Sequence, residues 1–167
     1  MKRMHHFKKI SFLLLLSSVV LVSSCNKDDD APAAQNITQI VVSSPDFSLL
    51  KTAVVRAGLD GTLATTQNLT VFAPNNAAFT AAGLTEAVIN STPVATLQAI
   101  LQYHVLGTKV ISSAVPAGPN AEVATLGGVK LFATKNANGV YVNGVKVITA
   151  DVSASNGVIH VIDRVLS

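Results

Sequence analysis

Most of the residues that would announce a chemistry are scarce here. The 167 residues include one cysteine, no tryptophan, two tyrosines and only 13% charged side chains. One cysteine excludes an intrachain disulfide, a common staple of exported proteins, so stability must come from an apolar core. No Gly-x-Ser-x-Gly elbow presents a serine nucleophile, and no glycine-rich loop has the spacing that cradles phosphate. Lys51, Arg56, Lys109, Lys130, Lys135, Lys146 and Arg164 stand singly. A nucleic-acid surface needs basic residues clustered, so nucleic acid is set aside as a partner. The few aromatics argue against a deep sugar-stacking cleft. Long apolar runs are absent too: Ile10 to Leu21 has twelve residues, whereas a bilayer-spanning helix needs ~20.

That run follows Lys2, Arg3, Lys8 and Lys9 and ends at Ser23 and Ser24, the layout of an export signal over residues 1–24. Without it, eight Lys/Arg face nine Asp/Glu, and the pI of about 9.2 belongs mostly to the leader. Cys25 comes next. A catalytic thiolate needs a histidine or cation held beside it, and residues 26–36 offer no fold to hold one. Val22-Ser23-Ser24-Cys25 resembles the lipobox of bacterial lipoproteins, which implies lipid on the sulfur and amino group of Cys25. Each buried methylene contributes ~0.8 kcal/mol, and several acyl chains anchor stably where one does not. The alternative is a leader cut elsewhere, leaving an incidental thiol. Residues 25–36 then form a polar tether. Asn26-Lys-Asp-Asp-Asp30 also resembles the acidic signal that sends some lipoproteins of the Bacteroidetes to the outer cell surface; a plain solvated spacer is the other reading. The expected location is the outer membrane, at the cell surface, with its periplasmic face as the alternative.

Ser44-Pro45-Asp46 has the capping residue, early proline and acid of a helix start. Phe47, Leu50, Val54 and Ala57 recur at helical spacing up to Gly58. Leu69–Ala73 reads as a strand stopped by Pro74. Asn75 or Asn76 then caps a brief helix closed by Gly83, and another turn of helix starts at Thr85-Glu86. Thr92-Pro93 repeats the cap-and-proline pattern and puts Val94, Leu97, Leu101 and His104 on one face. After Gly107 the period becomes two: 122–126, 129–134, 139–142, 145–150 and 158–166 read as strands. Asn143-Gly144 is the strongest hairpin signal. Helices first and strands later indicate an α+β fold. The last strand is apolar on both faces, which suits a central strand, with Leu69–Ala73 as its expected neighbour.

Three segments, "LTVFAPNNAAF" at 69–79, "ILQYHVL" at 100–106 and "ITADVSASNGVIHVIDRVL" at 148–166, resemble the fasciclin domain, also called FAS1 or the beta-Ig-h3 domain, and the likeness covers a single domain at 37–167. It implies a wedge of two packed β-sheets with helices along one side. It also implies a module of secreted or membrane-tethered adhesion proteins, with no catalysis. The family usually has Thr or Ser at the position of Asn75 and an acid at that of Ala77. Asn still caps, but the acid's interaction with the helix N-terminus is lost. Receptor binding has been attributed to the block matching Tyr103-His104 in animal members. The structural reading is that Tyr103 fills space while His104 bonds backbone near the last strand, because the neighbours Leu101, Val105 and Leu106 are apolar and a buried ring needs a partner.

His104, His160 and Asp163 could in principle be three metal ligands. His160 and Asp163, three apart on a strand, point to opposite faces, so no metal and no cofactor are expected. Asp151 and Asp163 are a conceivable acid pair with nothing to place them together. Asn36, Asn68 and Asn90 match the N-glycosylation pattern and are assigned no role. The expected function is a membrane-anchored adhesion module binding a surface protein or polysaccharide. Tyr103, His104, Asn143 and Gly144 are candidate interaction or structural residues, together with the loop 112–120. The alternative is a carrier of a small apolar ligand between sheet and helices, which needs a pocket of ~300 Å³ or more.

Overall fold

The computed structural model describes residues 34–116 and 118–166. The expected export signal, Cys25 and most of the expected tether lie outside them. The helices come first. Asn36 opens α1 (Ile37–Ser43) with a capping box: its side chain accepts from Gln39 N–H, and Gln39 returns a bond to Asn36 N–H. A 3₁₀ turn, Pro45–Phe47, leads into α2 (Ser48–Ala57), which ends on Gly58 at φ +66°. Ser44 makes no side-chain cap. Asn76, distant in sequence, supplies it instead: its Oδ1 accepts from Leu49 N–H at 3.1 Å and its Nδ2 donates to Pro45 O at 2.9 Å. Asp60 and Gly61 open a short helix, α3 (Asp60–Thr65). Asn75 caps α4 (Asn76–Ala81) and Thr85 caps α5 (Glu86–Ser91). Thr92 does not cap α6 (Val94–Tyr103); its hydroxyl turns back to Val88 O at 2.7 Å.

Among the described residues seven strands follow one hydrogen-bonded order, β2-β1-β7-β6-β5-β4-β3. They are β1 (Leu69–Pro74), β2 (Val105–Leu106), β3 (Gly118–Ala124), β4 (Lys130–Asn136), β5 (Gly139–Val142), β6 (Val145–Ala154) and β7 (Gly157–Ile162). β1 and β7 pair in parallel, from Leu69 opposite Gly157 to Pro74 opposite Ile162, as expected for the first and last strands. The last strand stops at Ile162, earlier than its apolar pattern suggested, and β3 starts within the expected 112–120 loop. The two sheets of the wedge are two limbs joined through β6. Its register shifts between Val147 and Thr149 and again before Val152, so its start pairs with β5 and its remainder with β7. The curl brings the ends of the strand order together: Leu106 bridges Thr125, and Leu126 N–H donates to Val105 O at 2.8 Å.

β1 and β7 are covered on both faces. Leu69, Val71, Ala73 and Ile159 pack with the helices, against Val41, Leu50, Val54, Leu97 and Leu101. Phe72 and Ile162 face the wedge interior with Leu106, Leu131, Val142 and Val147. Each such side chain, fully buried, contributes about 1.5–3 kcal/mol.

The β6–β7 turn ties this core to the helices. Asn156, 3% exposed, accepts from Ile37 N–H at 3.0 Å and donates to Leu63 O at 2.8 Å and Thr66 O at 2.9 Å. One amide thus holds the start of α1, the end of α3 and the approach to β1. Gly157 follows because nothing larger fits: a Cβ there would lie 2.2 Å from Leu69 O. Asn156→Ala strands buried donors and acceptors and should cost about 3 kcal/mol or more. Gly157→Ala should cost about 3 kcal/mol by forcing β7 off β1. Urea unfolding measures both, and parental midpoints would show that the junction does not hold the fold.

Candidate functional site

The four candidate residues separate into a buried one and an exposed group. His104 follows α6 and is 3% exposed. Its Nδ1 lies 2.7 Å from Ile100 O, and its Nε2 accepts from Leu166 N–H at 2.9 Å. The carbonyl can only accept, so Nδ1 carries the proton and the ring is neutral. Both nitrogens are spent on backbone, and the bond to Leu166 lies just beyond the last strand. Burial lowers its pKa from 6.5 to about 4, against the opposing pull of the Ile100 carbonyl.

Tyr103 is half-buried, its ring near-perpendicular to His104 with centroids 6.3 Å apart. Its hydroxyl accepts from Asn143 Nδ2 at 2.7 Å. Asn143 and Gly144, at φ +49° and +79°, form the tight β5–β6 turn, the conformation that favours Asn-Gly. The Asn143 side chain extends the ladder: its Oδ1 accepts from Phe132 N–H at 2.9 Å, while Phe132 O accepts from Asn143 N–H at 2.8 Å. The β3–β4 turn joins the same end, with Gly127 N–H donating to Gln102 O at 3.3 Å. Three stretches far apart in sequence therefore converge around one exposed hairpin tip.

Other polar side chains that looked available are committed to structure. His160, also 3% exposed, has its Nε2 2.8 Å from Val110 O, accepts from Asp151 N–H at Nδ1 (3.2 Å) and stacks on Phe72. Asp151 sits at φ +59° within the second register shift of β6 and takes both the N–H and the hydroxyl of Ser112. Burial pushes its pKa up, but the two Ser112 bonds and the Lys135 cation outweigh it and leave the carboxyl below its ordinary value. Thr70 receives Val110 N–H at 2.8 Å and donates to Thr108 O at 2.7 Å. Thr70, Asp151 and His160 thus pin the segment 108–112 to the sheet. Alternation alone would place Thr70 and His160 within strands but does not name the carbonyls they reach. Among the described residues no three His, Cys, Asp or Glu come together as a metal site.

The interior is filled. Between sheet and helices the void lined by Val41, Leu50, Leu63, Leu101 and His104 is about 20 Å³, far below the ~300 Å³ a small-molecule pocket needs. A larger hollow, about 430 Å³ beside Ala81, Leu84, Ile100 and Arg164, is an open groove on the outside. The apolar-carrier expectation therefore fails at the place it specified.

His104 gives the protein a pH dependence with a defined sign. The unfolded chain takes up a proton near pH 6.5 and the folded chain only near pH 4. Stability is full above pH 6.5 and is lost as pH falls from there to about 4, on the order of 3 kcal/mol in all. His104→Ala should remove that slope and lower stability at pH 7 as well, since Leu166 N–H and Ile100 O lose their partner. Urea midpoints measured from pH 7.5 to 4 test it, and an unchanged slope in the variant would assign the dependence elsewhere.

The Fasciclin domain profile matches residues 45–167. The protein sll1483 of Synechocystis is 41% identical over 136 residues, covering 80% of this chain and 74% of that protein. Transforming growth factor-beta-induced protein ig-h3 of Sus scrofa is 35% identical over 135 residues, 81% of this chain but only 20% of the relative, so this chain spans about a fifth of that protein. Among solved structures, a FAS1 domain pair from the insect cell adhesion molecule fasciclin I superposes with a TM-score of 0.67 over 80% of this chain and 51% of that one. At 18% identity that likeness shows the fold alone. With the profile covering most of the chain, and with wedge, register and filled core in agreement, this chain belongs to the fasciclin family.

Proposed function

We propose that this chain is a non-catalytic adhesion module, held to the outer membrane by lipid on Cys25, that binds a surface protein or polysaccharide through the exposed end around Tyr103, Asn143 and Gly144. The observation that carries this reading is the Tyr103–Asn143 hydrogen bond, which builds a rigid exposed tip over an interior with no room for a substrate. Loops held on a rigid scaffold are the common location of recognition. Membership of the fasciclin family, whose resemblance implied an adhesion module, supports the same class of function. The Cys25 lipid and the polar tether would hold the domain clear of the bilayer, and that part of the reading rests on the sequence pattern.

Two experiments test it. Labelled palmitate should enter the full chain and not Cys25→Ser; equal labelling of both removes the anchor. The full chain should bind at least one member of a panel of surface glycans and surface proteins. Tyr103→Phe, which deletes only the hydroxyl, and Asn143→Gly, which deletes the side chain but keeps the φ > 0 turn, should each weaken that binding at least tenfold, about 1.4 kcal/mol. Full binding by both variants would remove the tip as the contact site.

A further inference from the structure

The aromatic side chains that reach solvent are not scattered. Of the six among the described residues, Phe47, Phe72 and Phe79 are buried, while Tyr103, Phe132 and Tyr141 reach solvent. All three belong to the limb formed by β4, β5 and β6 or to its end. On β4 the side chains of Leu131 and Ala133 point inward and are buried, leaving Phe132 outward and 41% exposed. On β6 Val145 and Val147 point inward, leaving Lys146 and Ile148 outward, with Ile148 46% exposed.

The register aligns these outward residues. Thr134 lies opposite Tyr141, and Tyr141 opposite Lys146. Phe132 is two residues from Thr134, and Ile148 two residues from Lys146. Phe132, Tyr141 and Ile148 therefore form a diagonal stripe stepping one strand and two residues at a time, ~7–8 Å per step and ~15 Å overall. The helices pack on the β1–β7 side instead. Between Val123 and Ala150 the chain carries Lys130, Lys135 and Lys146 and no acid, and the one carboxylate beside the stripe, Glu122 on β3, lies opposite Phe132. Lys130 is paired with Glu122 at 2.6 Å, whereas the exposed Lys146 beside Tyr141 has no carboxylate partner among the described residues.

These features select among occupants. A second copy docked about a two-fold axis would set Lys146 near its own counterpart, and like charges across an interface are costly. A stable protein partner needs ~800 Å² from each side and about 20–30 residues, more than a three-residue stripe between lysines offers. An extended polysaccharide fits the shape: the C–H faces of its rings suit flat aromatic and aliphatic side chains, and acid groups project from its edges. We propose that the outer face of β4–β6 binds an extended anionic polysaccharide, its rings on Phe132, Tyr141 and Ile148 and its carboxylate or sulfate groups at Lys146. This rests on the adhesion reading and narrows its partner to a charged glycan. Asn143, bonded to Phe132 and Tyr103, makes the stripe continuous with the hairpin tip.

The test is affinity electrophoresis of the full chain through gels containing polygalacturonate, heparin or neutral dextran. Retardation is expected in at least one anionic gel, with carboxylate or sulfate preference read from which, and none in dextran. Phe132→Ala, Tyr141→Ala and Lys146→Glu should each raise the apparent Kd at least tenfold, while the remote Val55→Ala should leave it within twofold. A thermal melt unchanged from the parent shows that these surface variants fold. No retardation in either anionic gel, equal retardation in dextran, or indifference to Phe132→Ala and Tyr141→Ala would overturn the proposal. Binding of a surface protein alone, lost in Tyr103→Phe, would overturn this inference and leave the adhesion reading intact; no binding to any glycan or protein would end both.

Discussion

Asn156 holds three parts of the chain that local structure alone would leave independent. Its amide satisfies the first N–H of α1 and two carbonyls at the end of α3, while its own carbonyl accepts from Leu69 N–H as β1 begins. Because the group is buried, no water can replace those bonds, and each unmet one would cost as much as a lost hydrogen bond. Gly157 then lets β7 approach the Leu69 carbonyl closely enough for the parallel pairing to start.

The second constraint is the pair of register shifts in β6. They let one strand serve both limbs, so the sheet curls until Leu106 meets Thr125. Curling consumes the interior: the void inside the wedge, lined by Phe72, Leu131, Val142 and His160, is about 10 Å³. It also leaves the outer side of β4–β6 without a helix. The wedge is packed with side chains where Phe72, Leu131 and Val142 line it.

His104 and His160 show how polar groups are accommodated in so apolar a protein. Both are neutral and buried, in opposite tautomers: Nδ1 of His104 donates to Ile100 O, whereas Nε2 of His160 donates to Val110 O. In each case the other nitrogen accepts a backbone N–H, from Leu166 or from Asp151. The side-chain polar atoms buried among the described residues all have partners. The recognition proposed for this chain would use the surface: the Tyr103 hydroxyl, the Asn143-Gly144 tip and the outward face of the neighbouring strands.

The elements whose cause is local were legible in the chain. Alternation marked β4, β5 and β6, Asn143-Gly144 marked their hairpin, Gly58 marked the end of α2, and apolar residues on both faces marked β7 as central beside β1. The family motifs added the wedge. His104 could be placed at a buried helix end facing the last strand, because its apolar neighbours left a polar ring few alternatives. Non-local causes were not legible. Asn76 caps α2 from beyond β1, Asn156 bonds helices some 90 and 119 residues away in sequence, and Asp151 reaches Ser112 across 39. A hydrogen bond depends on position in space, and spacing along a chain says nothing of that until the strands pair. The same holds for the stripe of Phe132, Tyr141 and Ile148: each residue is visible as an outward position, but only the register of three strands makes them neighbours.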